Sequence, residues 1–109
     1  MSAVRNFYIG PNSRVLIIGD GPSGFGLALF SKLEGAQYVA VAGHREDRLL
    51  HAKKNAGADE TFNTHNCDVF SKVKNDVDII IDAVGSPEII ISASHAVRSG
   101  GKVALYAAY

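Results

Sequence analysis

The sequence predicts a three-layer α/β domain built on a parallel sheet, and three observations support this prediction. Short apolar runs alternate with longer amphipathic stretches, which is the pattern of a parallel sheet covered by helices on both faces. The central runs are uninterrupted by polar residues, as residues 79–81 (Ile-Ile-Ile) show, so we expect their strands to be buried on both sides. The length of 109 residues suits one domain with one core. Right-handed crossovers then favour a doubly wound sheet of about five strands in the order 3-2-1-4-5.

Five short apolar segments are predicted as strands. The first contains the unbroken apolar run 15–18 and ends at Gly19. The third rests on Thr61 and Phe62 alone, and a Gly-Gly pair precedes the fifth. In chain order, the predicted strands are residues 14–18, 38–42, 61–62, 77–84 and 102–106.

Four helices are predicted between these strands from apolar residues at helical spacing. Pro22 suits the first turn of the first helix, where its missing N–H costs little, and Gly35 suits the C-terminal cap. The second helix is charged, and Gly57 follows its end. The predicted helices are residues 22–33, 46–55, 67–74 and 87–97. Residues 3–7 resemble the end of a further helix. Because the chain also stops after five strands, we expect it to be a piece of a longer protein.

Composition and charge exclude several classes of function. Eleven Lys and Arg residues balance 11 Asp and Glu residues, so the chain lacks the net positive charge of a nucleic-acid-binding domain. A single Cys excludes an internal disulfide framework. The apolar runs are far shorter than the roughly 20 residues that span a bilayer, and the first residues contain no apolar signal segment. We therefore expect a soluble cytoplasmic protein that binds neither nucleic acid nor membrane.

Residues 19–24 (GDGPSG) form a G-x-G-x-x-G pattern between the first strand and the first helix. In this context the pattern is typical of a Rossmann dinucleotide-binding turn. The first glycine allows the tight turn, the second lets a pyrophosphate approach the backbone, and the third lets the helix pack closely on the strand. Pro22, Ser23 and Gly24 are expected to line a helix N-terminus that attracts phosphate. Asp20 is expected to point away from the phosphates. The alternative is a plain strand-to-helix turn.

The end of the second strand bears on which dinucleotide is bound. An acidic residue about 20 positions after the glycine motif would hold the adenosine ribose of NAD. Here the strand ends in Gly43, His44 and Arg45, with no carboxylate at its tip. A glycine leaves room and the two basic residues supply donors, which favours the 2′-phosphate of NADP over NAD. Arg48 is a further candidate donor, and the alternative is a solvent-exposed Arg and His on a loop.

The motifs together resemble the nucleotide-binding half of the zinc-type, medium-chain alcohol and polyol dehydrogenases. The turn 19–24 looks like that family's G-x-G-P-x-G, including the proline. Residues 46–59 are similar to its E-x-R-L…A-K…G-A-D run, and residues 82–85 (DAVG) to its D-x-x-G. Residues 99–103 (SGGKV) resemble its P-G-G-K/R-V turn, with Ser99 in place of proline. The likeness covers nearly the whole chain.

The resemblance implies hydride transfer between a nicotinamide cofactor and an alcohol or carbonyl carbon. In this family a catalytic zinc acts as a Lewis acid on the substrate oxygen, and its ligands lie in a separate catalytic domain. We expect residues 1–109 to be the dinucleotide-binding domain without that zinc domain, hence inactive alone. No catalytic residue is assigned to this chain. NADP is expected more than NAD, and the zinc only in the other domain.

The resemblance also assigns cofactor contacts by position. Gly43 stands where many family members have the ribose-binding Asp. The segment after the fifth strand is expected to reach the nicotinamide carboxamide. The expected cofactor-binding residues are Gly19, Gly21, Pro22, Ser23, Gly24, Gly43, His44, Arg45, Ala83, Val84, Gly85, Tyr106 and Ala107.

Other functions and sites are compatible with parts of the sequence. A stand-alone NAD(H)-sensing regulatory module is the main alternative, although such modules usually keep the strand-tip acid. An S-adenosylmethionine methyltransferase is disfavoured by Pro22 and by the missing acid. His65 and Cys67 offer two metal ligands where zinc needs three or four, so no metal site is predicted. Besides the dinucleotide and a catalytic domain, an exposed fifth strand makes a homo-oligomer through the sheet edge possible.

Overall fold

A computed structural model describes residues 9–106 of the chain. Strands and helices alternate without exception among these residues. The elements are β1 (Arg14–Ile18), α1 (Pro22–Leu33), β2 (Tyr38–Gly43), α2 (Glu46–Asn55), β3 (Glu60–Asn63), α3 (Val69–Val73), β4 (Ile79–Asp82), α4 (Pro87–Ala96) and β5 (Lys102–Leu105). The segment 3–7, predicted as the end of a helix, lies outside the described residues.

The strands form one sheet in the order β3-β2-β1-β4-β5, and every pair is parallel. This confirms the predicted Rossmann-like, doubly wound fold. From β1 the chain builds outward to β2 and β3 on one side, then returns to place β4 and β5 on the other. The change of direction lies between β1 and β4, which is where sheets of this class form a binding crevice.

Two apolar clusters cover the two faces of the sheet. Alternate residues of β1 point to opposite faces, so Val15 and Ile17 join one cluster while Leu16 and Ile18 join the other. Helices α1 and α2 contribute to the first cluster, and α3 and α4 to the second. The central strands are buried on both sides, as their unbroken apolar runs predict. No helix among residues 9–106 is long and apolar enough to cross a membrane.

The observed bounds differ from the predicted ones mainly at α3 and β4. Helix α3 is shorter than residues 67–74 because the Asp68 side chain caps its start, accepting a hydrogen bond from the backbone N–H of Phe70 at 3.2 Å. Asn75, whose φ is 61°, follows its end. Strand β4 is shorter than residues 77–84. Its pairing stops at Asp82, whose side chain folds the chain into a turn.

Candidate functional site

The carboxyl ends of the strands meet at one edge of the sheet. Ile18 at the end of β1 lies opposite Ala42 in β2 and Asp82 in β4, and Asp82 lies opposite Leu105 in β5. The loops that follow these strands therefore share the edge. They carry Gly19, Gly21, His44, Arg45, Ala83, Val84, Gly85 and Tyr106, while Gly43 ends β2 and Pro22, Ser23 and Gly24 open α1 behind them. Ala107, the remaining predicted residue, lies outside the described residues.

The turn between β1 and α1 uses its three glycines differently. Gly19 has a φ of 132°, which L side chains rarely adopt. A Cβ at Gly24 would lie 2.8 Å from the carbonyl carbon of Gly19 and would collide with its oxygen. Gly21 is unlike both, because its φ is −79° and, among residues 9–106, a Cβ there would have only Arg48 Nη1 within 4 Å, at 3.9 Å. The fold therefore needs glycine at positions 19 and 24 but not at position 21.

The N-terminus of α1 is suited to an anion. Gly21 is the N-cap residue of α1. Among the described residues, no side chain makes a capping hydrogen bond at this end of the helix. Pro22 takes the first helical position, and the first turn contains no acidic residue. The amide N–H groups that a helix leaves without intrahelical partners, together with the helix dipole, favour negative charge at this point.

Asp20 faces the tip of β2. One of its carboxylate oxygens accepts hydrogen bonds from the backbone N–H of His44 at 3.0 Å and of Arg45 at 2.8 Å. Its other oxygen lies 3.9 Å from Arg48 Nη1, and the side chain is only 6% exposed. Sequence reasoning placed Asp20 away from the phosphates but did not find this contact, since no local motif links a turn to the end of a neighbouring strand.

The basic residues after β2 are accessible to solvent. His44 and Arg45 are both exposed, and the His44 ring meets the His65 ring edge-on at 5.7 Å. Arg45 hydrogen-bonds the Asp47 carboxylate through Nε at 3.3 Å and through Nη2 at 3.4 Å. This contact lowers the pKa of Asp47 below its usual value. The guanidinium groups of Arg45 and Arg48 thus both lie beside a carboxylate.

The turn after β4 is organised by a buried carboxylate. Asp82 is fully buried, and it accepts hydrogen bonds from the backbone N–H groups of Val84 at 2.8 Å, Gly85 at 3.0 Å and Ser86 at 3.2 Å. Val84, in this turn, is 59% exposed at the sheet edge. The D-x-x-G pattern in the sequence was the available signal for this turn, although it gave no role to the aspartate itself.

A crevice of about 450 Å³ runs along the edge beside these turns. Three glycines line it, Gly19, Gly21 and Gly43, together with apolar residues that include Val69, Phe70, Val84 and Ile89. A second pocket of about 350 Å³ opens between α1 and α2, and Phe25, Arg48 and His51 line it. Asp20 and Gly21 border both openings. Within residues 9–106, no three His, Cys, Asp or Glu side chains group closely enough to hold a metal ion.

Known proteins resemble this chain over nearly its whole length. D-arabinitol dehydrogenase 1 of Uromyces fabae is 33% identical over 106 residues, which are 91% of this chain and 30% of that protein. L-idonate 5-dehydrogenase of Vitis vinifera is 33% identical over 112 residues, covering 94% of this chain and 30% of that protein. The chain therefore spans about a third of the length of the curated relatives it matches.

Solved structures and a family model agree with these relatives. Benzyl alcohol dehydrogenase of Acinetobacter calcoaceticus matches 99% of this chain with a TM-score of 0.90 and 27% identity, over 31% of its own length. A zinc-binding dehydrogenase of Sinorhizobium meliloti, solved with NADP, matches 94% of this chain and 32% of its own, with a TM-score of 0.88. At 24% identity, the second match shows the fold alone. The model of the zinc-binding dehydrogenase family matches residues 24–109. The chain belongs to that family, as a nucleotide-binding domain of the medium-chain, zinc-type dehydrogenases.

Proposed function

We propose that this chain binds a nicotinamide dinucleotide for a zinc-dependent oxidoreductase that acts on the CH–OH group of an alcohol or polyol. The single observation that carries the proposal is Gly21. Neither its φ nor its packing requires glycine, yet it lies between the crevice and the uncapped start of α1. A missing side chain at this point is explained by a ligand whose phosphates approach the backbone.

Each part of the edge has a role in this proposal. The first turn of α1 binds the pyrophosphate, with Ser23 and Gly24 supplying N–H groups. The apolar walls of the crevice on the β2 side receive the adenosine half. The turn of Ala83, Val84 and Gly85, fixed by Asp82, orients the nicotinamide ribose, and Tyr106 borders the nicotinamide end. When bound, the nicotinamide supplies hydride transfer, and the residues of this chain bind and orient it.

We propose that the catalytic zinc and the substrate-binding residues belong to a separate domain. The family pattern assigns only cofactor-binding roles to residues of this chain. The 109-residue chain should therefore bind dinucleotide without oxidising polyols. Turnover by this chain alone would contradict the assignment. Association through β5, the edge strand of the sheet that residues 9–106 form, is also proposed, since Leu105 there is 47% exposed; sedimentation velocity would test it. A cytoplasmic location remains our expectation, in line with the single unpaired cysteine.

NADP is proposed as the preferred cofactor. Arg45 and Arg48 lie at the start of α2 with about half of each side chain exposed. Hydrogen bonds from these cations to a 2′-phosphate would favour NADPH over NADH.

Dinucleotide binding is tested by replacing two glycines by alanine, one at a time: Gly21 at the start of α1 and Gly26 within the same helix. Gly21→Ala should leave the unfolding midpoint unchanged and weaken binding of NADPH and NADH at least tenfold, because a methyl group at residue 21 would keep the proposed phosphates from the backbone. Gly26→Ala is the matched control, since a Cβ at Gly26 meets no atom of the described residues within 4 Å. Titration by nicotinamide fluorescence measures both variants. Equal binding by Gly21→Ala and the unchanged chain would refute the proposed site.

A further inference from the structure

An acidic side chain lies at the tip of β2 although the strand itself ends in glycine. The Asp20 carboxylate accepts the backbone N–H groups of His44 and Arg45, the two residues that follow Gly43. The Asp20 side chain is more than nine-tenths buried, yet the residue borders both the crevice and the pocket between α1 and α2. The glycine turn thus supplies a negative charge at the strand tip.

The Asp20 side chain occupies the space that a side chain at position 43 would need. A Cβ at Gly43 would lie 2.5 Å from both Cβ and Cγ of Asp20, and nearer still to its Oδ2. Real Cβ atoms do not approach other heavy atoms so closely. A side chain at position 43 and the observed position of Asp20 therefore exclude each other. Glycine at position 43 is explained by Asp20, and does not by itself mark a space reserved for phosphate.

We infer that Asp20 is a specificity-determining residue for the adenosine ribose, one that opposes a 2′-phosphate and lowers the preference for NADPH over NADH. This inference rests on the proposed function. A carboxylate repels a phosphate group, and it already engages the two backbone N–H groups at the strand tip that could otherwise bind phosphate. A ribose hydroxyl carries no charge and experiences no such repulsion.

The charges around the tip of β2 favour only a small preference for NADPH over NADH. Arg48 approaches Asp20 at 3.9 Å, and Arg45 pairs with Asp47 at 3.3 Å. Glu46 adds a further carboxylate at the start of α2. The two guanidinium groups are thus offset by neighbouring acids, so a 2′-phosphate gains less here than two free arginines would give.

The test measures the dissociation constant of NADH divided by that of NADPH, at one fixed salt concentration. For the unchanged 109-residue chain we expect NADPH to bind tighter by less than about tenfold. Asp20→Asn keeps the shape and one acceptor oxygen but removes the charge, and should raise the ratio about tenfold in favour of NADPH. Asp20→Ser should shift it in the same direction. Asp76→Asn, at the opposite end of the sheet beside Arg14, is the charge-matched control and should leave the ratio unchanged.

The outcomes separate this inference from the function on which it rests. If the unchanged chain binds neither dinucleotide, the proposed function fails. If both bind and the ratio is the same in Asp20→Asn as in Asp76→Asn, the role of Asp20 is overturned while the site stands. A preference of a hundredfold or more for NADPH in the unchanged chain would overturn the role of Asp20 without any variant.

Discussion

Gly24 at the start of α1 lies directly against the backbone of Gly19 at the end of β1, so close that a single methyl group at residue 24 would enter the Gly19 carbonyl. This contact sets the distance between the helix and the strand. Since Gly19 also holds a φ of 132°, the turn has little freedom to move away from an added atom.

Gly24→Ala is therefore expected to destabilise the domain by about 3 kcal/mol, at the upper end of overpacking costs. Gly26→Ala, two positions further along the same helix, should leave stability unchanged or raise it by up to about 1 kcal/mol, since alanine favours helix and its Cβ meets open space. Urea unfolding measures both. Equal stability of the two variants would show that the Gly19 contact can relax.

Asp82 should contribute to stability through the turn it holds. Asp82→Asn replaces one acceptor oxygen by an amide that faces backbone N–H groups, so we expect a loss of about 3 kcal/mol. Asp76→Asn, whose side chain is 57% exposed, should cost less than about 1 kcal/mol. Thermal unfolding of the two variants provides the comparison. A similar, small effect for both would mean that the turn of residues 83–86 keeps its shape without the carboxylate.

Asp20 and Gly43 should be energetically coupled. Gly43→Ala introduces the colliding Cβ, whereas the same substitution in an Asp20→Gly background meets no side chain at residue 20. The double-mutant cycle should give a coupling energy of about 1–3 kcal/mol, with Gly43→Ala less costly when Asp20 is absent. Denaturant unfolding of the four proteins measures it. Additive effects would place the two side chains further apart than the structure does.

Tyr38 should make stability depend on alkaline pH. Burial, and then the hydrogen bond that its hydroxyl donates to Glu60 at 2.5 Å, raise the pKa of Tyr38 above its usual value. The unfolded chain therefore loses the phenol proton first, and the stability that Tyr38 contributes below about pH 10 is lost as pH rises toward the higher pKa of the folded state.

Tyr38→Phe removes the titrating group, so the stability of the unchanged chain should decline relative to this variant as pH rises above about 10. Tyr106→Phe serves as the control for the loss of a phenol elsewhere in the fold. Unfolding by urea at a series of pH values measures the difference. Parallel curves for the unchanged chain and Tyr38→Phe would contradict the shift.

The elements and their order could be predicted from the sequence because each strand is a local apolar run and each helix a local spacing. Their ends could not, since β4 stops where the Asp82 side chain accepts the N–H groups of Val84, Gly85 and Ser86, and α3 starts where Asp68 caps it. The glycine turn could be predicted too, because its motif consists of consecutive residues. The contact of Asp20 with the tip of β2 joins residues distant in the sequence, and only the parallel pairing of β1 with β2 brings them together.

The three glycines of the turn would have different fates in a lineage that lost its ligand. Gly19 and Gly24 would still be retained, because the turn needs glycine at both positions. Gly21 would drift to other residues, because nothing in the folded chain selects for it. Residue 21 is therefore the position at which a descendant that keeps this architecture but has given up its ligand could be recognised.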